Sequence, residues 1–82
     1  MKLSEKYDGT HIIEARHYSG FSRRWTPWYM CASRGTLKVA ERELSKMVAE
    51  KTSIKQEFRL LNPRGVVIKE ADNVKNLLGN RS

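Results

Sequence analysis

The hydrophobic positions of the chain are organised around one stretch, Thr36 to Lys51, TLKVAERELSKMVAEK. Leu37, Ala40, Leu44, Met47 and Val48 recur at i, i+3, i+7, i+10 and i+11, the spacing of one helix face. Lys38, Glu41, Arg42, Ser45, Lys46 and Glu50 take the opposite face. Gly35 breaks the chain just before, Thr36 can accept a backbone N–H as N-cap, and Thr52 and Ser53 end the helix with turn-forming residues.

Elsewhere the period shortens to two. Thr10 to Tyr18 alternates as a strand, with His11, Ile13, Ala15 and His17 on one face and Ile12, Glu14, Arg16 and Tyr18 on the other. The first set is the expected core side, because the second holds two charges. Ser19 to Thr26 reads as a loop, and Pro27, lacking an N–H, as a strand start or edge position. Trp28 to Ser33 is the second strand, with Trp28, Met30 and Ala32 expected toward the helix in preference to Tyr29 and Cys31. Ile54 to Leu61 is the third, with Phe58 and Leu60 inward. Asn62-Pro63-Arg64-Gly65 matches a type I turn into a fourth strand, Val66 to Lys69. Asp72 to Leu78 has the pattern of a short C-terminal helix, stopped by Gly79.

The order β-β-α-β-β predicts an α+β fold: an antiparallel four-stranded sheet with one main helix packed on one face. A single domain is expected over residues 10–78, with a flexible N-terminal segment, 1–9, and a flexible C-terminus, 79–82.

Composition changes this picture in two ways. Sixteen Lys and Arg against nine Asp and Glu give a net charge of +7. The excess is uneven: Ala15 to Ala40 contains no acid, yet holds Arg16, Arg23, Arg24, Arg34 and Lys38. Such a field attracts phosphate or an acidic protein face. Cys31, as the one cysteine, excludes an internal disulfide and a finger-type zinc site, and its apolar neighbours predict a buried structural thiol. No apolar run approaches the roughly 20 residues that span a bilayer, and the first nine residues do not read as a signal peptide, so an intracellular, cytoplasmic protein is expected.

Two groups of residues suggest binding chemistry. Phe21, Arg23, Arg24 and Trp25, with Arg16 beside them, interleave cations and rings. That suits single-stranded nucleic acid, where arginines hold phosphates and bases stack on rings. The plainer reading packs the aromatics and solvates the arginines. Arg34, Thr36 and Lys38 surround the helix entrance, where free N–H groups and the helix dipole favour an anion. The plainer reading there is a capped helix start. His11 and His17, about 20 Å apart on one strand, cannot share a metal, and exposed or hydrogen-bonded histidines are expected. Paired carboxylates, a Ser-His-Asp set and a metal cluster are absent as local patterns, so no enzyme and no cofactor are expected.

Trp28, then Ala40-Glu41-x-x-Leu44, then Glu57-Phe58-Arg59-Leu60-Leu61 resemble the small accessory proteins of bacteriophage and prophage genomes, over about residues 12–68. The resemblance implies a partner class: an acidic host protein surface that receives the basic face. Nucleic acid, single-stranded in preference, is the first expectation and such a protein surface the second. Self-pairing through an exposed sheet edge is a third.

Overall fold

A computed structural model describes residues 9–78. The expectation of flexible ends at 1–9 and 79–82 lies, but for Gly9, outside the described residues. The elements run β1 (His11–Ser19), β2 (Arg24–Trp25), β3 (Tyr29–Arg34), α1 (Leu37–Ala49), β4 (Gln56–Leu61) and β5 (Val67–Asp72), followed by one 3-10 turn at Val74–Asn76. The fold is α+β, with one helix on an antiparallel sheet, as expected. Among the described residues the sheet has five strands in place of four, ordered β2-β1-β4-β5, with β3 also pairing β1.

The fifth strand arises because the strand returning from β1 is interrupted. Arg24 and Trp25 pair with Ser19 and Tyr18. Thr26 still donates its N–H to the His17 carbonyl at 2.9 Å, and its Oγ1 accepts the His17 N–H at 3.1 Å. Pro27 has no N–H to offer, and pairing resumes only at Tyr29, opposite Ala15. A second irregularity follows at once. Met30 pairs Glu14 but Ala32 pairs Ile13, which leaves Cys31 as the extra residue of a bulge.

Each slip of one residue reverses the faces. Residues directly opposite in an antiparallel pair share a face, so Tyr29 and Ala32 join Ala15 and Ile13 on the helix side. Met30 joins Glu14 on the other side. The expectation that Trp28, Met30 and Ala32 face the helix together is therefore corrected: Ala32 does, Met30 does not, and the Trp28 ring lies over Arg16 and Arg59 on the open face. Cys31 is corrected too, since it is exposed.

The core follows the sequence pattern. Ile13, Ala15, Ala40, Leu44, Phe58 and Leu60 are buried, with Ala32, Leu37, Met47 and Val48 packed against them. Thr36 caps α1 by accepting the Val39 N–H on Oγ1 at 3.1 Å. The turn at Asn62 closes with the Gly65 N–H on the Asn62 carbonyl at 2.8 Å. Gly65 has φ 80, the left-handed conformation that lets a three-residue hairpin loop close.

The expected C-terminal helix is a single 3-10 turn, because β5 continues to Asp72 and Asn73 is spent on bonding. Asn73 is fully buried. Its Oδ1 accepts the Gln56 N–H at 2.8 Å, and its Nδ2 donates to the Ile54 carbonyl at 3.0 Å. Asn76 Nδ2 donates to the Val48 carbonyl at 2.9 Å, one of the orphan acceptors at the end of α1. The tail thus ties β4 to the helix exit. Asn73→Ala leaves a donor and an acceptor unpaired inside the protein. Urea unfolding should show a loss of about 2–3 kcal/mol, as a lower midpoint at unchanged slope. A loss within error would mean that water replaces the amide.

Candidate functional site

The basic loop is short and ordered. Only Gly20 to Arg23 lie between the last paired residues, Ser19 and Arg24. The Arg23 N–H donates to the Ser19 carbonyl at 2.7 Å, and the Ser22 N–H to Ser19 Oγ at 3.2 Å. Arg23 takes φ 57, left-handed backbone that a non-glycine residue adopts at some cost. These constraints hold Phe21 outward, fully exposed at 101%. Arg23 and Arg24 beside it are exposed as well. A wholly solvated ring on an ordered tip has apolar area to give to a ligand.

Behind the tip, cations and indoles alternate on the open face of the sheet. The Lys55 ammonium lies 5.9 Å from the Trp25 ring, and the Arg16 guanidinium 5.0 Å from the same ring. Arg16 is also 4.7 Å from Trp28, and Arg59 stands 4.2 Å from Trp28. Tyr18 packs edge-on against Trp25 with ring centres 5.7 Å apart. The cross-strand register builds this ladder: Tyr18 faces Trp25, Arg16 faces Glu57, and Glu14 faces Arg59.

The ladder arginines carry little free charge. Arg16 Nε donates to Glu57 Oε1 at 2.8 Å, and Arg59 Nε to Glu14 Oε1 at 2.7 Å. Further along the same face, a cleft of about 350 Å3 is lined by Arg16, Trp28, Phe58, Ala71 and three carboxylates, Glu57, Glu70 and Asp72. That lining repels a polyanion. Arg23 and Arg24 at the tip are exposed and make no ion pair among the described residues.

The eight residues picked from the sequence therefore fall into separate places. Phe21, Arg23, Arg24 and Trp25 come together at the end of β1 marked by Ser19. Arg16 lies next to them, with its charge taken by Glu57. Arg34 is opposite His11, at the far end of β1, with Thr36 and Lys38 following it. Eight residue steps of strand separate the two ends, about 27 Å. The two groups marked in the sequence are thus two separate places on the surface and do not form one patch. Thr36 is buried and occupied as a cap, and Arg34 pairs with Glu43 at 3.3 Å, while Lys38 is exposed.

Lys55 and Tyr18 belong to the tip's surroundings and were missed as site residues. The Tyr18 N–H donates to the Lys55 carbonyl at 2.9 Å, a pairing set by the register between distant strands. Tyr18 bordered the basic loop in sequence, but no local pattern marks Lys55. His11 is buried, with Nδ1 2.9 Å from the Gly9 carbonyl, and His17 packs edge-on against Tyr29 at 6.3 Å. Among the described residues, no three His, Cys, Asp or Glu gather as a metal-holding group. No helix among them is long and apolar enough to cross a membrane.

Comparison with family models, curated proteins and solved structures finds no match to this chain.

Two measurements test this geometry. Arg16→Ala removes a guanidinium shared by two rings, at about 0.5–1 kcal/mol per exposed contact. It should lower stability by roughly 1–2 kcal/mol and change tryptophan emission, and Arg16→Lys should restore the charge without the planar stack. Unchanged emission in both would mean the ladder does not persist in solution. Cys31, exposed on its bulge, should react with a thiol reagent without denaturant. Partial desolvation pushes its thiol pKa up, so less thiolate is present at any given pH. Labelling at pH 8 should be slower than for a free cysteine peptide. Labelling only after unfolding would overturn the exposed placement.

Proposed function

We propose that this protein binds single-stranded nucleic acid through the β1–β2 hairpin tip, without catalysing a reaction. The observation that carries this reading is Phe21, fully solvated on a hydrogen-bonded tip that also carries the exposed Arg23 and Arg24. Arginines engage backbone phosphates, and an unstacked base covers the ring. A duplex offers the tip no unstacked base, so a single strand is preferred. Lys55 adds a cation beside Trp25. The helix entrance lies at the other end of β1 and does not touch the base held at the tip.

Phosphate contacts make binding salt-dependent, by about 0.7 in log–log slope per neutralised phosphate on a single strand. In fluorescence anisotropy with a labelled single strand, the double variant R23A/R24A should bind more weakly, with a slope shallower by about 1.4. Phe21→Ala should weaken binding by about 5-fold or more, since base stacking contributes about 1–3 kcal/mol, and should leave the slope unchanged. Binding by R23A/R24A equal to that of the unaltered protein would remove the proposal. The same field attracts carboxylates. Partners retained from nuclease-treated bacterial lysate, together with no oligonucleotide binding, would favour an acidic protein surface, as for an accessory or inhibitor protein.

A further inference from the structure

The two basic groups marked in the sequence lie at the two ends of one sheet edge. β2 and β3 form that edge, and both lie within the acid-free run from Ala15 to Ala40. The opposite edge strand, β5, carries Glu70 and Asp72 against Lys69. The molecule is therefore polarised across the sheet. Along the β2–β3 edge, Tyr29 and Met30 are exposed at 41% and 63%, and Cys31 is exposed on its bulge. Neither strand has a partner on its outer side among the described residues, so outward backbone N–H groups are available as donors.

We infer that a bound single strand runs from the hairpin tip along the β2–β3 edge to Arg34 and Lys38, so that the tip is one terminus of a longer track. This rests on the reading of the tip as a nucleic-acid contact, and adds a direction and a footprint to it. A single nucleic-acid strand is the occupant that the edge fits. It is thin and extended, it is charged at every repeat, and it meets cations at both ends without passing a carboxylate of β2 or β3. The length of about 27 Å lies toward the short end of the range of about 4–16 nucleotides typical of single-strand sites. Exposed Tyr29, midway, offers a ring to a base. Glu43 takes part of the charge of Arg34, so the tip supplies most of the affinity and the far end a smaller share.

The test is an oligonucleotide length series, read by anisotropy at low salt with labelled oligo(dT) of about 3 and about 8 nucleotides. The unaltered protein should bind the longer strand several-fold more tightly than the added number of binding positions explains. In R34A/K38A that ratio of long to short affinity should collapse, and the salt slope on the long strand should fall by about 0.7 per lost contact. The variant Arg34→Gln with Lys38→Gln keeps part of each aliphatic stem and a polar end without the charge, and should behave alike, which separates lost charge from local unfolding. R23A/R24A should weaken both lengths. A ratio unchanged in both far-end variants would overturn the track and leave the tip contact standing. No binding of either length by the unaltered protein would overturn both.

Discussion

The pairing of β1 with a return strand that twice slips by one residue is the constraint on which the rest depends. β1 is bonded on both edges, to β2 and β3 on one and to β4 on the other. Its pattern of two puts Ile13 and Ala15 under the helix, and β4 answers with Leu60 and Phe58. The return strand cannot answer with a single alternation, since Pro27 interrupts the ladder and Cys31 is left over. Each slip moves side chains to the other face. As a result Trp28 stands on the open face, Cys31 is exposed, and Arg24 and Trp25 form a separate short strand beside the tip.

Electrostatics then divides the molecule by how each cation is used. Arg16 and Arg59 sit half-exposed between indoles and carboxylates, so their charge serves the sheet itself. Exposed ion pairs of this kind contribute little apiece. Stacking on rings gives them geometry that a lone surface pair lacks. The result is a covered sheet face with no helix on it. Arg23 and Arg24 are not drawn into that layer, and with Phe21 they project from it.

A small domain leans on its polar contacts because its apolar core is limited. Among the described residues six apolar side chains are buried, and Asn73 is buried beside them with both ends of its amide bonded. That one side chain joins the start of β4 to the end of β5. Asn76 joins the tail to α1. The chain after β5 therefore closes one end of the sheet, and residues patterned for a short helix serve instead as a clasp. Gly9, at φ 111, packs so close to Pro63 that a Cβ there would fall 2.5 Å from its Cγ. The approach to β1 is thus held against the β4–β5 turn.

Local pattern alone determined the helix with its Thr36 cap, the buried set Ile13, Ala15, Phe58 and Leu60, and the turn at Asn62. Each of these rests on near neighbours: a 3.6 or 2.0 period, a side chain capping three residues on, a proline followed by a glycine. It also marked Phe21, Arg23 and Arg24, which project because the loop between their strands is short. Tertiary structure alone decided the faces of Trp28, Met30 and Cys31, the pairing of Arg16 with Glu57, the arrival of Lys55 beside Trp25, and the distance between Arg24 and Arg34. Those depend on register between strands far apart in sequence. A slip of one residue costs the local pattern almost nothing, yet it reverses every side chain beyond it.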